Sequence, residues 1–320
     1  MPGLQSDVSV FGDCLRMSNP NPTNFAASVE AKLKNVCKQQ NIDYRFALIR
    51  YATERFLYRL SVSEYAQQFV LKGGNLFIIW QNGRNFRPTV DSDFLYFGKP
   101  NNVLFQEIFT TLCNAQIDEK SGLRFDADTI KISAIRQEMK DVGTRIILTA
   151  FLGNAQVHLQ FDIGIGDAVT PPPEYAEFPV LLNGVAPRLR IYPKETAISE
   201  KFEAMVTKGE LNSRMKDFYD IWLLTELFDF DFVTLQQAIH NTFSRHEVPL
   251  PTSTPECFTR NFFNNPMKQI QWKAFCRKNH ISQLPESFEM AISRIKAFLE
   301  PVYMELVSSP ETWHANKGWQ

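Results

Sequence analysis

Apolar side chains recur at helical spacing from residue 25 onward, and they predict two helices, over 25–40 and 43–60. In the second, Phe46, Ile49, Thr53, Phe56, Leu57 and Leu60 mark the inward stripe. Arg45, Arg50, Arg55 and Arg59 lie among them and are expected to form a solvated face, with an RNA- or phosphate-contacting surface as the other reading. At Phe69 the pattern changes to a short buried strand (Phe69 to Leu71), a glycine pair, a brief apolar helix, a loop, and a second strand ending near Phe97. An amphipathic helix over 101–118 presents Val103, Ile108, Leu112 and Ala115. Period-two alternation then predicts strands over 123–136, 144–152 and 156–165, separated by turn chemistry at Asp141-Val142-Gly143 and Gly153-Asn154. Prolines crowd 168–193, which should be an extended, irregular connection. From 194 the period is helical again: Ile198, Phe202, Met205 and Val206 form one stripe and Phe218, Ile221 and Trp222 the next. Further helices are expected over 233–243, 258–279 and 286–299, the last stopped by Glu300-Pro301.

The order of these elements predicts an α+β protein: a polar leader over 1–24, a mixed β-sheet domain with flanking helices over 25–193, and a helical C-terminal domain over 194–320. Thr23 or Asn24 is placed to cap the first helix. Composition changes little in this picture. Among 320 residues, 44% are hydrophobic and 22% charged, as expected of a globular chain. No run approaches 18 apolar residues, so no membrane span is expected. The first residues lack a signal peptide's basic start and apolar run. Five scattered cysteines, odd in number and in no C-x-x-C pair, suit reduced thiols in the cytoplasm. A net charge of −1 means that any nucleic-acid partner must be held by a local basic patch. The five histidines show no ligand spacing.

Candidate chemistry concentrates in the segment from Phe69 to Phe97. Residues two apart on a strand share a face, so Asp91 and Asp93 lie side by side and repel unless a cation or proton intervenes. Oxygen ligands beside a phosphate suit Mg²⁺. Lys72, Gly73 and Gly74 are the expected nucleotide-binding residues upstream, the glycines letting backbone N–H groups approach phosphate at a helix start. Arg84 and Arg87 could reach a triphosphate; Arg87, four residues before Asp91, could equally be its ion-pair partner. Asp162, on the polar face of its strand with His158 and Gln160, would complete a carboxylate triad if that strand lies beside the Asp91/Asp93 strand. Asp167 reads as structural. Asp217 and Asp220 share a helix face, with Lys216 at ion-pair spacing from Asp220, so surface salt bridges are a fair account of them.

Taken with Lys201, five stretches in order resemble the AbiEii-type nucleotidyltransferases, the toxin half of type IV toxin–antitoxin and phage abortive-infection systems. They are ERFLYRLSVSEYAQQFVLKGGNLF, RPTVDSDF, LQFDIGIGDAVTP, YPKETAISEKFEAMV and NSRMKDFYDIW. The resemblance covers residues 25 to 300. It implies a nucleotidyltransferase fold and transfer of a nucleoside monophosphate from an NTP co-substrate to an acceptor hydroxyl, releasing pyrophosphate. It places Gly73 and Gly74 at the phosphates, Mg²⁺ on Asp91, Asp93 and Asp162, Lys201 on the triphosphate, and Asp217 orienting Lys201 or a metal-bound water. The implied acceptor is the 3′ end of tRNA, and the implied partner a cognate antitoxin. Two other readings stand: transfer to a small molecule or protein hydroxyl, and a non-catalytic Mg-NTP or RNA-binding module. A tRNA acceptor predicts a basic groove, drawn from Arg84, Arg124, Arg136 and Arg145.

Overall fold

The computed structural model describes residues 24–83, 89–99, 101–117, 119–135, 143–279, 284–305, 311–315 and 317–320. The expected leader (except Asn24), Arg84, Arg87, Arg136, His280 and the Asp141-Val142 part of the expected turn lie outside the described residues.

Helices α1 (Phe25–Gln40) and α2 (Tyr44–Ser61) form where their apolar stripes predict. Asn24 caps the first, accepting the Ala27 N–H at 3.0 Å, and Asp43 caps the second. Strand β1 (Phe69–Lys72) leads through a glycine turn into α3 (Leu76–Trp80), then β2 (Asp91–Tyr96) and α4 (Asn102–Asn114). A meander follows: β3 (Leu123–Ile135), β4 (Gly143–Leu152) and β5 (Ala155–Ile165). The proline-rich stretch is not merely a connection. It contributes β6 (Glu174–Glu177) and β7 (Arg188–Ile191), because its prolines fall outside both short segments and leave their N–H groups free to pair.

The seven strands make one mixed sheet in the order β3-β4-β5-β2-β1-β7-β6. Two pairings are parallel, β2 with β5 and β1 with β7; the rest are antiparallel. Phe94 and Phe161 turn from the sheet into a core shared with α1, α2 and α4. There Phe56 of α2 is fully buried against Phe109, Phe125 and Phe161, with ring centroids 4.6–5.4 Å apart. The carboxylates flanking Phe94 and Phe161 therefore face the opposite side.

On that side, α5 (Lys194–Lys208), α6 (Met215–Leu227), β8 (Phe230–Asp231) and α7 (Phe232–Arg245) begin a second core. It continues through α8 (Arg260–Phe263), α9 (Pro266–Lys278) and α10 (Phe288–Tyr303), and closes with β9 (Thr312–His314) and β10 (Gly318–Trp319). Phe77 of α3 belongs to this second core while Leu76 and Ile78 belong to the first, so α3 is wedged between the two.

Four expectations need correction. Arg50, Arg55 and Arg59 are buried, not solvated; only Arg45 is exposed. Their guanidinium groups donate to carbonyls of loops and of a helix end: Arg50 to Gly83, Arg55 to Val185, and Arg59 to Leu112 and Cys113 in the last turn of α4. In α4 the inward face is Phe105, Ile108, Phe109 and Leu112, while Val103 is 69% exposed. The expected helix over 258–279 is broken at Asn264-Asn265, where Asn265 caps the new helix and Pro266 takes its first position. Pro301 does not stop α10, which runs on to Tyr303.

Candidate active site

Strand alternation puts Asp91 and Asp93 on one face of β2, and the parallel register sets Asp93 directly across from Asp162 of β5. The three half-buried carboxylates offer oxygens that all lie within 4.8 Å of one another. Burial, reinforced by the negative charge of Asp91, pushes the Asp93 carboxyl up to about 6; Lys72 and Lys216 oppose the rise and Asp162 adds to it. Hard oxygen donors, mutual repulsion and partial burial fit a divalent cation such as Mg²⁺.

Asp162 already has partners. Arg145 grips it with two parallel hydrogen bonds, Nε to Oδ1 at 2.8 Å and Nη2 to Oδ2 at 2.7 Å, and Gln160 donates from the same strand. A carboxylate has about four lone-pair directions, so the two Arg145 bonds leave others open, which Gln160 only shares at 3.3 Å from each oxygen. Arg124 lies over Phe151 and pairs with Asp126. Of the expected basic groove, then, Arg145 serves the carboxylates and Arg124 a neighbouring strand residue.

The glycine turn is built around Asp93. Gly73 has φ +73, and a Cβ there would stand 1.9 Å from Asp93 Oδ2, so no other residue fits without displacing the carboxylate. Asn75, missed in the sequence reading, straps the turn to β2 by donating to the Asp91 carbonyl at 3.1 Å and to Ser92 Oγ at 3.0 Å. Its isolated amide after two glycines carried no readable signal. The helix after the turn has only five residues, too few for a strong macrodipole, so the turn offers backbone N–H groups more than a dipole.

Lys72 is placed differently from a free phosphate ligand. It sits across from Asp93 on β1, and its ammonium is held by Asp167 and by Glu200 of α5, at 3.0 Å from the latter. His246 reaches the same cluster, with Nε2 3.8 Å from Asp167 and Nδ1 3.3 Å from Glu203. Asp167, expected to be structural, is the acceptor at its centre, also taking the Tyr192 hydroxyl at 3.2 Å.

Lys201 follows Glu200 on α5. Its ammonium lies 3.2 Å from Asp217 and 2.9 Å from Asp220, both on α6. These aspartates are buried, Asp220 completely, so the surface salt-bridge reading is wrong. Phe218, Ile221 and Trp222 on the same helix enter the second core and carry them inside. Asp220 was not singled out as a site residue, although its three-residue spacing from Asp217 was the available signal. Lys216, one residue before Asp217, is exposed and near enough for its charge to bear on Asp93. Helices α5 and α6 thus flank the carboxylate face of the sheet. Arg87 lies outside the described residues.

A cleft of about 1250 Å³ has Asp91, Asn75 and Thr89 in its lining, together with residues of α1 and α2. Among the described residues, no helix is long and apolar enough to cross a membrane.

No curated protein matches this sequence. Among solved structures, a candidate nucleotidyltransferase from H. pylori is 15% identical with a TM-score of 0.47, covering 83% of this chain and 97% of its own. JHP933 from Helicobacter pylori is 14% identical with a TM-score of 0.44, covering 79% of this chain and 90% of its own. The family model for the nucleotidyl transferase AbiEii toxin of type IV toxin–antitoxin systems matches residues 55–294, from α2 to α10 and across both cores. The chain belongs to that family of toxin enzymes, the AbiEii nucleotidyltransferases.

Proposed function

We propose that this enzyme moves a nucleoside monophosphate from an NTP to the 3′ end of tRNA in a Mg²⁺-dependent reaction, as the toxin that a cognate antitoxin restrains in the cytoplasm. The observation that carries the reading is the convergence of Asp91, Asp93 and Asp162 beside a glycine turn in which Gly73 lies too close to Asp93 for a Cβ unless that carboxylate moves. On this reading residues 25–193 are the transfer domain and 194–320 a helical domain that lends it Lys201 and Asp217.

Asp91, Asp93 and Asp162 would hold the metal. When bound, Mg²⁺ supplies positive charge against the phosphate oxygens as charge shifts during transfer. The Gly73-Gly74 turn lets backbone N–H groups meet phosphate at close range. Arg145 fixes the Asp162 carboxylate, which orients the attacking hydroxyl. Asp217 and Asp220 hold the Lys201 ammonium, which faces the triphosphate and offsets its negative charge. The hydroxyl passes its proton to Asp162 as its oxygen adds to the α-phosphorus, the bond from that phosphorus to the oxygen bridging the β-phosphate breaks, and pyrophosphate departs with the bonding pair. Positioning and fixed charge supply most of the acceleration in reactions of this type.

The test is incubation with each labelled NTP, Mg²⁺ and total tRNA, beside Asp93→Ala and Lys201→Ala proteins. Label on tRNA with the intact protein alone is the expected result. Pyrophosphate release without labelled tRNA would move the acceptor elsewhere, and no release with any NTP would refute the assignment.

A further inference from the structure

One register row crosses four adjacent strands on the carboxylate face: Lys72 of β1, Asp93 of β2, Asp162 of β5 and Arg145 of β4. Opposite charges directly across a strand pair lie close enough to join. At one end of the row that happens, because Arg145 grips Asp162. At the other end it does not. Lys72 turns from Asp93, and among the described residues no ion pair joins the two. An ammonium has three N–H donors, and three oxygens surround this one: Asp167 Oδ2, Glu200 Oε1 at 3.0 Å and Glu200 Oε2 at 3.2 Å. The Tyr192 ring supports it from 5.3 Å, and the Tyr192 hydroxyl donates to the same Asp167 oxygen. Gly164, two residues past Asp162, opens the space; a Cβ there would stand 3.4 Å from Asp167 Oδ2 and 3.8 Å from Lys72 Nζ. Both acceptors come from outside the strand ladder, Asp167 from the β5 exit loop and Glu200 from α5.

We propose that Asp167 and Glu200 are positioning residues that draw the Lys72 ammonium aside and so keep Asp93 open to a divalent cation. The proposal rests on the metal reading above and adds why a lysine stands beside a metal ligand without occupying it. A largely buried ammonium that loses its acceptors turns to another carboxylate within reach, because a charge left unpaired there is costly. With Asp167 and Glu200 uncharged, the carboxylate directly across the strand pair is Asp93. The lysine then competes with the metal for the same oxygens.

The probe is Mn²⁺, which suits the same oxygen ligands as Mg²⁺, titrated into metal-free protein and read by the loss of its free EPR signal. The Asp167→Asn/Glu200→Gln protein keeps both shapes and removes both charges. Its Mn²⁺ affinity should fall about tenfold or more, the effect of one opposite charge within reach of a carboxylate. Adding Lys72→Met should restore most of that affinity, since the competitor is gone. Glu200→Gln alone, with and without Lys72→Met, gives the same comparisons should the paired replacement not fold. A metal-free arm uses urea unfolding in EDTA. Asp93→Asn should raise the midpoint of the natural protein, where it relieves carboxylate repulsion. It should lower the midpoint of the Asp167→Asn/Glu200→Gln protein, where it removes an ion pair. Unchanged Mn²⁺ affinity would overturn the proposal. So would a loss that Lys72→Met leaves in place, which would make Asp167 and Glu200 merely structural. If the natural protein binds no Mn²⁺, the metal reading falls. The EDTA arm still decides whether Lys72 is diverted, and a midpoint shift of the same sign in both backgrounds says that it is not.

Discussion

Replacing Gly73 with alanine would put a methyl group where Asp93 stands. The added carbon would lie 1.9 Å from Asp93 Oδ2, 2.7 Å from its Cγ and 2.9 Å from its Cβ. The left-handed backbone at that position costs an L-residue roughly 1–2 kcal/mol. The clash is relieved by driving Asp93 off its rotamer, which costs about 0.5–1.5 kcal/mol more. Stability should therefore drop by roughly 2–3 kcal/mol, lowering Tm by about 3–5 °C. Activity should suffer far more, because a carboxylate misplaced by about 1 Å costs on the order of 100-fold. Pyrophosphate release and thermal unfolding, measured on the same preparations, separate the two effects. A second background isolates the cause. Asp93→Ala removes the two atoms nearest the new methyl, so Gly73→Ala should cost about 1 kcal/mol less there than in the natural protein. Wild-type turnover in Gly73→Ala, or strictly additive losses in the double variant, would refute the close-approach argument.

Three further outcomes are expected. Asp93 titrates near 6 in the folded chain against 3.8 unfolded, so its ionisation opposes folding, absent below about pH 4 and complete above about pH 6. Asp93→Asn should accordingly raise Tm in EDTA at pH 7.5, and Mg²⁺ should raise the Tm of the natural protein but not of this variant. His246 has the opposite sign. The neighbouring carboxylates of Asp167 and Glu203 raise it to about 10 from 6.5, so its stabilising effect is complete below about pH 6.5 and vanishes as pH rises through 10. Tm should fall between pH 7 and 10 more steeply in the natural protein than in His246→Gln; parallel curves would remove His246 from the account. Arg59→Met should destabilise by roughly 2–4 kcal/mol in urea unfolding, because the Leu112 and Cys113 carbonyls lose their donor. A loss below about 0.5 kcal/mol would return Arg59 to the solvated face first expected of it.

The carboxylate face was legible because strand alternation is a local rule: Asp91 and Asp93 had to share a side, and Asp162 had to oppose Leu159 and Phe161. That β5 lies beside β2 is a matter of sheet order, which no local pattern encodes; it entered as a condition and the parallel register meets it. The arginines of α2 were misjudged for a related reason. Charge at helical spacing ordinarily marks the wet side, and only the loops that arrive later in the chain, around Gly83, Pro179 and Val185, supply the carbonyls that draw those side chains inward. β6 and β7 were hidden by proline density, since four-residue strands between prolines give too short an alternation to read. Lys72 was assigned to phosphate by its neighbours, whereas its partners come from the β5 exit loop and from α5.

The pairing of Asp93 with Asp162, together with Lys201 held by Asp217 and Asp220, has a consequence during synthesis of a toxic chain. The meander can zip up from neighbouring segments, but its last strand must dock beside one made much earlier. The lysine clamp comes later still. A ribosome must therefore pass Asp220 before the clamp on Lys201 can close.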